Sequence, residues 1–150
     1  MKRGSAMANK SGNGLAETLA AFDRIRRAPR EAVLPALLKS GEELAHHQKA
    51  LAETSRDTGA LIDSIHVTMP GQSTPAYSQP GGARLAGETE VIVTAGNADV
   101  RYAHLVEYGT NDTEAQPFFW PALRLLRKRL QNRINRAAKK AVKDAWNEHD

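Results

Sequence analysis

The chain has 150 residues, 41% hydrophobic and 25% charged, which suits one domain with a single core. It contains no cysteine, which excludes a disulfide framework and thiolate chemistry, and no apolar run approaches the ~20 residues of a membrane span. A net charge of +4 permits contact with a polyanion without requiring it.

Residues 1–14 are small and polar and are expected to form a disordered tail ahead of a single domain over 15–150. Lys2 and Arg3 lead into no apolar stretch, so the expected compartment is the cytoplasm. Leu15, Leu19, Phe22 and Ile25 recur at helical spacing, with Glu17 early and Arg24, Arg26 and Arg27 late. This predicts a short helix stopped by Pro29. Pro29 also suits the opening of a second helix, to about Thr54, with Val33, Leu37, Gly41, Leu44, Gln48 and Leu51 on its stripe. His46 and His47 are adjacent and point apart, which does not make a metal pair. Asp57-Thr58-Gly59 reads as a turn or helix cap; aspartic-protease chemistry needs a second such carboxylate, and the sequence has none. Ile65, Val67 and Met69 alternate with His66 and Thr68, as in a half-buried strand.

A long loop without periodicity follows over residues 70–87, with three Pro and four Gly. Its glycines match no phosphate-binding spacing. Tyr77 and Arg84 are candidates there for contact with a partner. Glu88 to Ala95 is the clearest strand. Tyr102 to Tyr108 fits a strand by propensity and a two-turn helix by spacing, and the helix is preferred. Gly109 ends this apolar patch where a positive φ is expected. Pro117 and Pro121 then bracket Phe118, Phe119 and Trp120 at the start of a long helix reaching Trp146. Leu123, Leu126, Leu130, Ile134, Ala137, Ala141 and Ala145 line its stripe, narrowing to alanine as if another helix approached closely.

Successive helical residues turn by about 100°, so three bulky aromatics cannot all face one core. Phe119 lies four residues before Leu123 and is expected inside. Phe118 and Trp120 diverge to either side. Together with Tyr102, Glu107, Tyr108, Tyr77 and Arg84 they are the candidate subunit contacts.

No catalytic, cofactor or metal-binding constellation is present among the motifs of the sequence, which argues against an enzyme and against a small-molecule substrate. Glu107, in an apolar patch, has no nucleophile or acid beside it and reads as an ion pair or backbone cap rather than a general base. The long helix carries Arg124, Arg127, Lys128, Arg129, Arg133, Arg136, Lys139, Lys140 and Lys143 with no acid among them. As a solvated face this arc keeps the helix soluble. As a nucleic-acid contact, Arg124, Lys128, Arg129, Arg133, Arg136, Lys140 and Lys143 would track phosphates without base specificity.

Three segments, taken in order, carry a resemblance: Asp57-Thr58-Gly59-Ala60-Leu61 to Ser64-Ile65, Tyr102-Ala103 to Val106-Glu107-Tyr108-Gly109-Thr110, and Ala115-Gln116-Pro117-Phe118 to Pro121-Ala122-Leu123. Across about residues 30–145 the chain resembles the small neck and tail-component proteins of long-tailed bacteriophages with lambda-like or HK97-like morphology. The resemblance implies an α+β fold, a small antiparallel sheet packed with a long N-terminal helix and a long basic C-terminal helix. It implies a non-enzymatic virion part of the head–tail connection, encoded by a phage, prophage or gene-transfer particle. Its partners would be neighbouring neck and tail proteins and copies of itself in a homo-oligomeric ring. It would be made in the host cytoplasm and carried in the virion neck or tail.

Overall fold

A computed structural model of the chain describes residues 2–54 and 59–148, with side chains from Gly14 onward. Asp57 and Thr58, read above as a cap or turn, lie outside the described residues. The elements run α1 (Lys2–Ala52), α2 (Gly59–Asp63), β1 (His66–Thr68), β2 (Ile92–Thr94), α3 (Ala103–Tyr108) and α4 (Phe119–Asn147). The architecture is α+β, as expected. α1 and α4 lie side by side, and the β1–β2 pair packs on α1.

The break expected at Pro29 is absent: α1 is one helix with Pro29 and Pro35 inside it, and it begins at Lys2, within the stretch read as a tail. A proline removes one backbone bond and crowds the preceding turn. Here packing overrides that local cost. Ala28 and Ala32 line an open cleft together with Ala137, Ala141 and Ala145 of α4, so the small-residue stripe continues past the proline. The register is antiparallel, since Gln48 of α1 reaches Phe119 at the start of α4, while Ser40 meets Arg133 at the middle of α4.

The strands are shorter than their sequence patterns, three residues each, paired antiparallel with Val67 opposite Val93. Gly41 of α1 sits on this pair. A Cβ there would stand 3.0 Å from a Val91 methyl and 3.2 Å from a Val67 methyl. The glycine therefore lets the helix rest on the sheet surface. The half-buried alternation expected for the first strand is corrected, because Thr68 and its sheet neighbour Thr94 are also fully buried. The loop of residues 70–87 is ordered by its own ladder: Thr74 N–H donates to the Arg84 carbonyl, Ala86 N–H to the Gln72 carbonyl, and Gln79 exchanges both backbone bonds with Ala95. Its lack of side-chain periodicity concealed a backbone pattern.

The core has two parts. One gathers Ala45, Ala52, Leu61, Ile65, Val100, Phe118 and Phe119 around α3 and the start of α4. The other is the helix–helix seam of Leu44, Ala122, Leu126 and Leu130.

Candidate assembly surface at the start of α4

The start of α4 lacks a Ser, Thr, Asp or Asn cap of its own; Phe118 occupies that position and no side chain caps it locally. A helix leaves its first four N–H groups without partners, and buried ones are costly. Glu107 resolves this from α3. Its Oε2 accepts the N–H of Phe118 at 2.7 Å and of Phe119 at 2.9 Å, and its Oε1 accepts that of Trp120 at 3.1 Å. The next residue, Pro121, has no N–H to satisfy. One buried carboxylate thus completes the helix end and places negative charge at the positive pole of the dipole.

α4 begins at Phe119 rather than Pro117, so Pro121 is its third residue. Between α3 and α4 the chain must turn back sharply. Gly109 has φ 76° and ψ 176°, and a Cβ on it would lie 2.7 Å from the Ala115 nitrogen. The positive φ expected there is present, and the close backbone approach is a second reason for glycine. Thr110 closes the turn: its N–H donates to the Thr113 carbonyl and its Oγ1 accepts from Asp112 and Thr113. Gln116 N–H then returns to the Val106 carbonyl.

The three aromatics separate. Phe119 is buried, as expected. Phe118 is buried more deeply still, at 1% exposure, so it is not a surface anchor in the lone subunit. That corrects its candidacy, as burial corrects that of Glu107: one fills the core and the other faces the helix end. The physical reason is that Phe118 precedes the first helical turn, and its extended φ of −131° swings the ring inward rather than around the helix. Trp120 is half-buried, its ring 5.0 Å from that of Phe119, and its Nε1–H donates to the Tyr108 hydroxyl at 2.7 Å. Tyr108 is 67% exposed. Beside this pair lies a small cleft of about 60 Å³ walled by Pro80, Ala103, His104, Phe118 and Trp120.

The remaining candidates are scattered. Tyr102 is half-buried against the core. Tyr77 is exposed at the tip of the 70–87 loop, with φ 63° and the Arg101 guanidinium 3.8 Å over its ring. Arg84 is paired two-pronged with Glu90 at 3.0 and 3.2 Å. The Gly87 N–H and then Arg84 hold the Glu90 carboxyl below its ordinary value.

Two of the basic-arc candidates are diverted into the fold. Arg133 donates to Glu43 at 2.6 Å and to Ser40 Oγ at 3.3 Å, and Arg129 reaches the other Glu43 oxygen at 3.0 Å. The Arg133 hydrogen bond, aided by the charge of both arginines, holds the Glu43 carboxyl below its ordinary value despite partial burial. Sequence reasoning missed this clamp, because Glu43 and Arg133 are 90 residues apart. The backbone-cap reading of Glu107 holds, and the structure adds which end it caps, the start of α4. Among the described residues no group of His, Asp and Glu is placed to hold a metal ion, and no helix is long and apolar enough to cross a membrane.

Residues 16–109 match the sequence model of a family described as "Bacteriophage HK97-gp10, putative tail-component". Neither the curated proteins nor the solved structures contain a match.

Proposed function

We propose, because this chain belongs to the HK97 gp10-like family of bacteriophage tail components, that it is a structural subunit of the head–tail connection in a phage, prophage or gene-transfer particle. In this reading it acts by protein–protein assembly, as a ring of like subunits at the neck or at the head-proximal end of the tail. It contacts neighbouring neck and tail proteins, carries out no catalysis, and passes from the host cytoplasm into the virion.

The observation that carries the assembly reading is the Tyr108–Trp120 pair. Two large aromatics are held rigid by a mutual hydrogen bond, on a helix end fixed by Glu107, beside an apolar cleft. Rigid aromatics bury much area at small entropic cost, which is the chemistry of a contact anchor. The test is complementation of a particle-producing strain lacking the gene. Tyr108→Ala is expected to keep the melting temperature of the free subunit and to abolish its incorporation into particles. Normal incorporation and normal tails with this variant would remove the pair as the contact.

A further inference from the structure

We infer that the outward face of α4 is a sequence-independent binding surface for the phosphate backbone of duplex DNA, a role beyond subunit assembly. Nine of the chain's 21 cations fall between Arg124 and Lys143 with no acid among them, which leaves twelve cations against 17 acids elsewhere. The molecule is thus a basic helix face on an otherwise acidic body. Such segregation steers a polyanion to one side and repels it from the rest.

The fold sorts these cations. Arg129 and Arg133 are tied to Glu43 and serve the seam with α1. Arg124, Arg127, Lys128, Arg136, Lys139, Lys140 and Lys143 are exposed. They extend over ~29 Å of helix, close to one turn of duplex. Between them stand the exposed amides Gln131, Asn132 and Asn135, which also hydrogen-bond phosphate oxygens.

The composition of the face favours DNA over an acidic protein. Protein interfaces are depleted of lysine and centre on buried apolar groups, whereas DNA interfaces are polar and strongly positive. The exposed apolar residues of α4 lie towards its two ends, Leu125 near the start and Val142 with Trp146 near the finish, and make no central patch. The face is one continuous helix side without a turn or arm to enter a second groove, so it reads backbone charge and not base sequence.

The test is fluorescence anisotropy of the full chain with a labelled 30-base-pair duplex, titrated across salt concentrations. Wild type is expected to bind at low salt, with log K falling against log salt at a slope of about −4 to −5 if roughly five phosphates are contacted. The triple variant K128Q/K139Q/K143Q is expected to bind at least tenfold more weakly with a slope shallower by about 2–3, at an unchanged melting temperature. The control R24Q/R27Q/R30Q removes the same charge from α1 and is expected to stay within threefold of wild type. Absence of salt-dependent binding overturns the inference. So does an equal loss in the control, which would make the effect one of net charge. Polyglutamate binding as tightly as DNA, with the same loss in the first triple variant, would reassign the face to an acidic protein.

Discussion

Glu107 decides where α4 starts. Its two oxygens take three backbone N–H groups that no other described side chain bonds, so removing it strands two buried donors and a part-buried one at once. Glu107→Ala is expected to destabilise the subunit by about 3–5 kcal/mol, read by denaturant melts, and to loosen Phe118 and Phe119, which ride on those donors. Gly109 works on the same turn for a different reason. Its φ and ψ belong to a region that is almost glycine-only, and the Ala115 backbone fills the space a side chain would take. Gly109→Ala is expected to cost about 3 kcal/mol in the same measurement. A wild-type melting curve for either variant would contradict the geometry described above.

The two long helices hold each other through a seam and a clamp. Gly41 sets how closely α1 rests on the valines of the sheet, and Gly41→Leu is expected to destabilise by about 2–3 kcal/mol through overpacking. The clamp at Glu43 gives a pH dependence. Its carboxyl titrates below the ordinary value of 4.5 in the folded state. A lowered folded pKa stabilises at any pH above the unfolded pKa, and that stability is lost as pH falls through the folded one. Wild type is therefore expected to lose stability as pH drops below about 4.5 more steeply than Glu43→Gln, whose own cost near neutrality is about 1–2 kcal/mol, since Arg129 is largely exposed. Parallel pH–melt curves for the two proteins would refute the clamp. The opening of α1 is a further point of difference between composition and backbone. Glycine, asparagine and serine over residues 2–14 favour rapid amide exchange, and hydrogen exchange measured residue by residue checks whether this turn-rich composition frays the helix there.

At the scale of the whole molecule, α1 is longer than α4, and Leu15, Leu19 and Phe22 near its start are all more than half exposed. Exposed apolar groups outside the core contribute little to folding. Leu19→Glu combined with Phe22→Glu is expected to shift stability by no more than about 0.5 kcal/mol per site in denaturant melts. The free chain is expected to remain a monomer or small oligomer at micromolar concentration and to build rings only on its neighbours. A stable high-order ring in light scattering without partners would overturn this expectation.

The sequence by itself determined the helices of the seam, the positive φ of Gly109, the interior place of Phe119 and the family membership, whose match spans the first of the three segments and the second as far as Gly109. Each rests on local spacing or on one residue's backbone freedom, and such signals lie within a few turns of chain. Tertiary structure alone decided the rest. Pro29 stays inside one helix that runs alongside α4, whose residues are distant in the chain. Phe118 turns inward because the helix start is set by a carboxylate eleven residues earlier. Arg133 is drawn off the basic face, and Arg129 is paired while still largely exposed, because Glu43 stands opposite them. In each case the deciding partner belongs to another element, and the periodicity within one element carries no information about it.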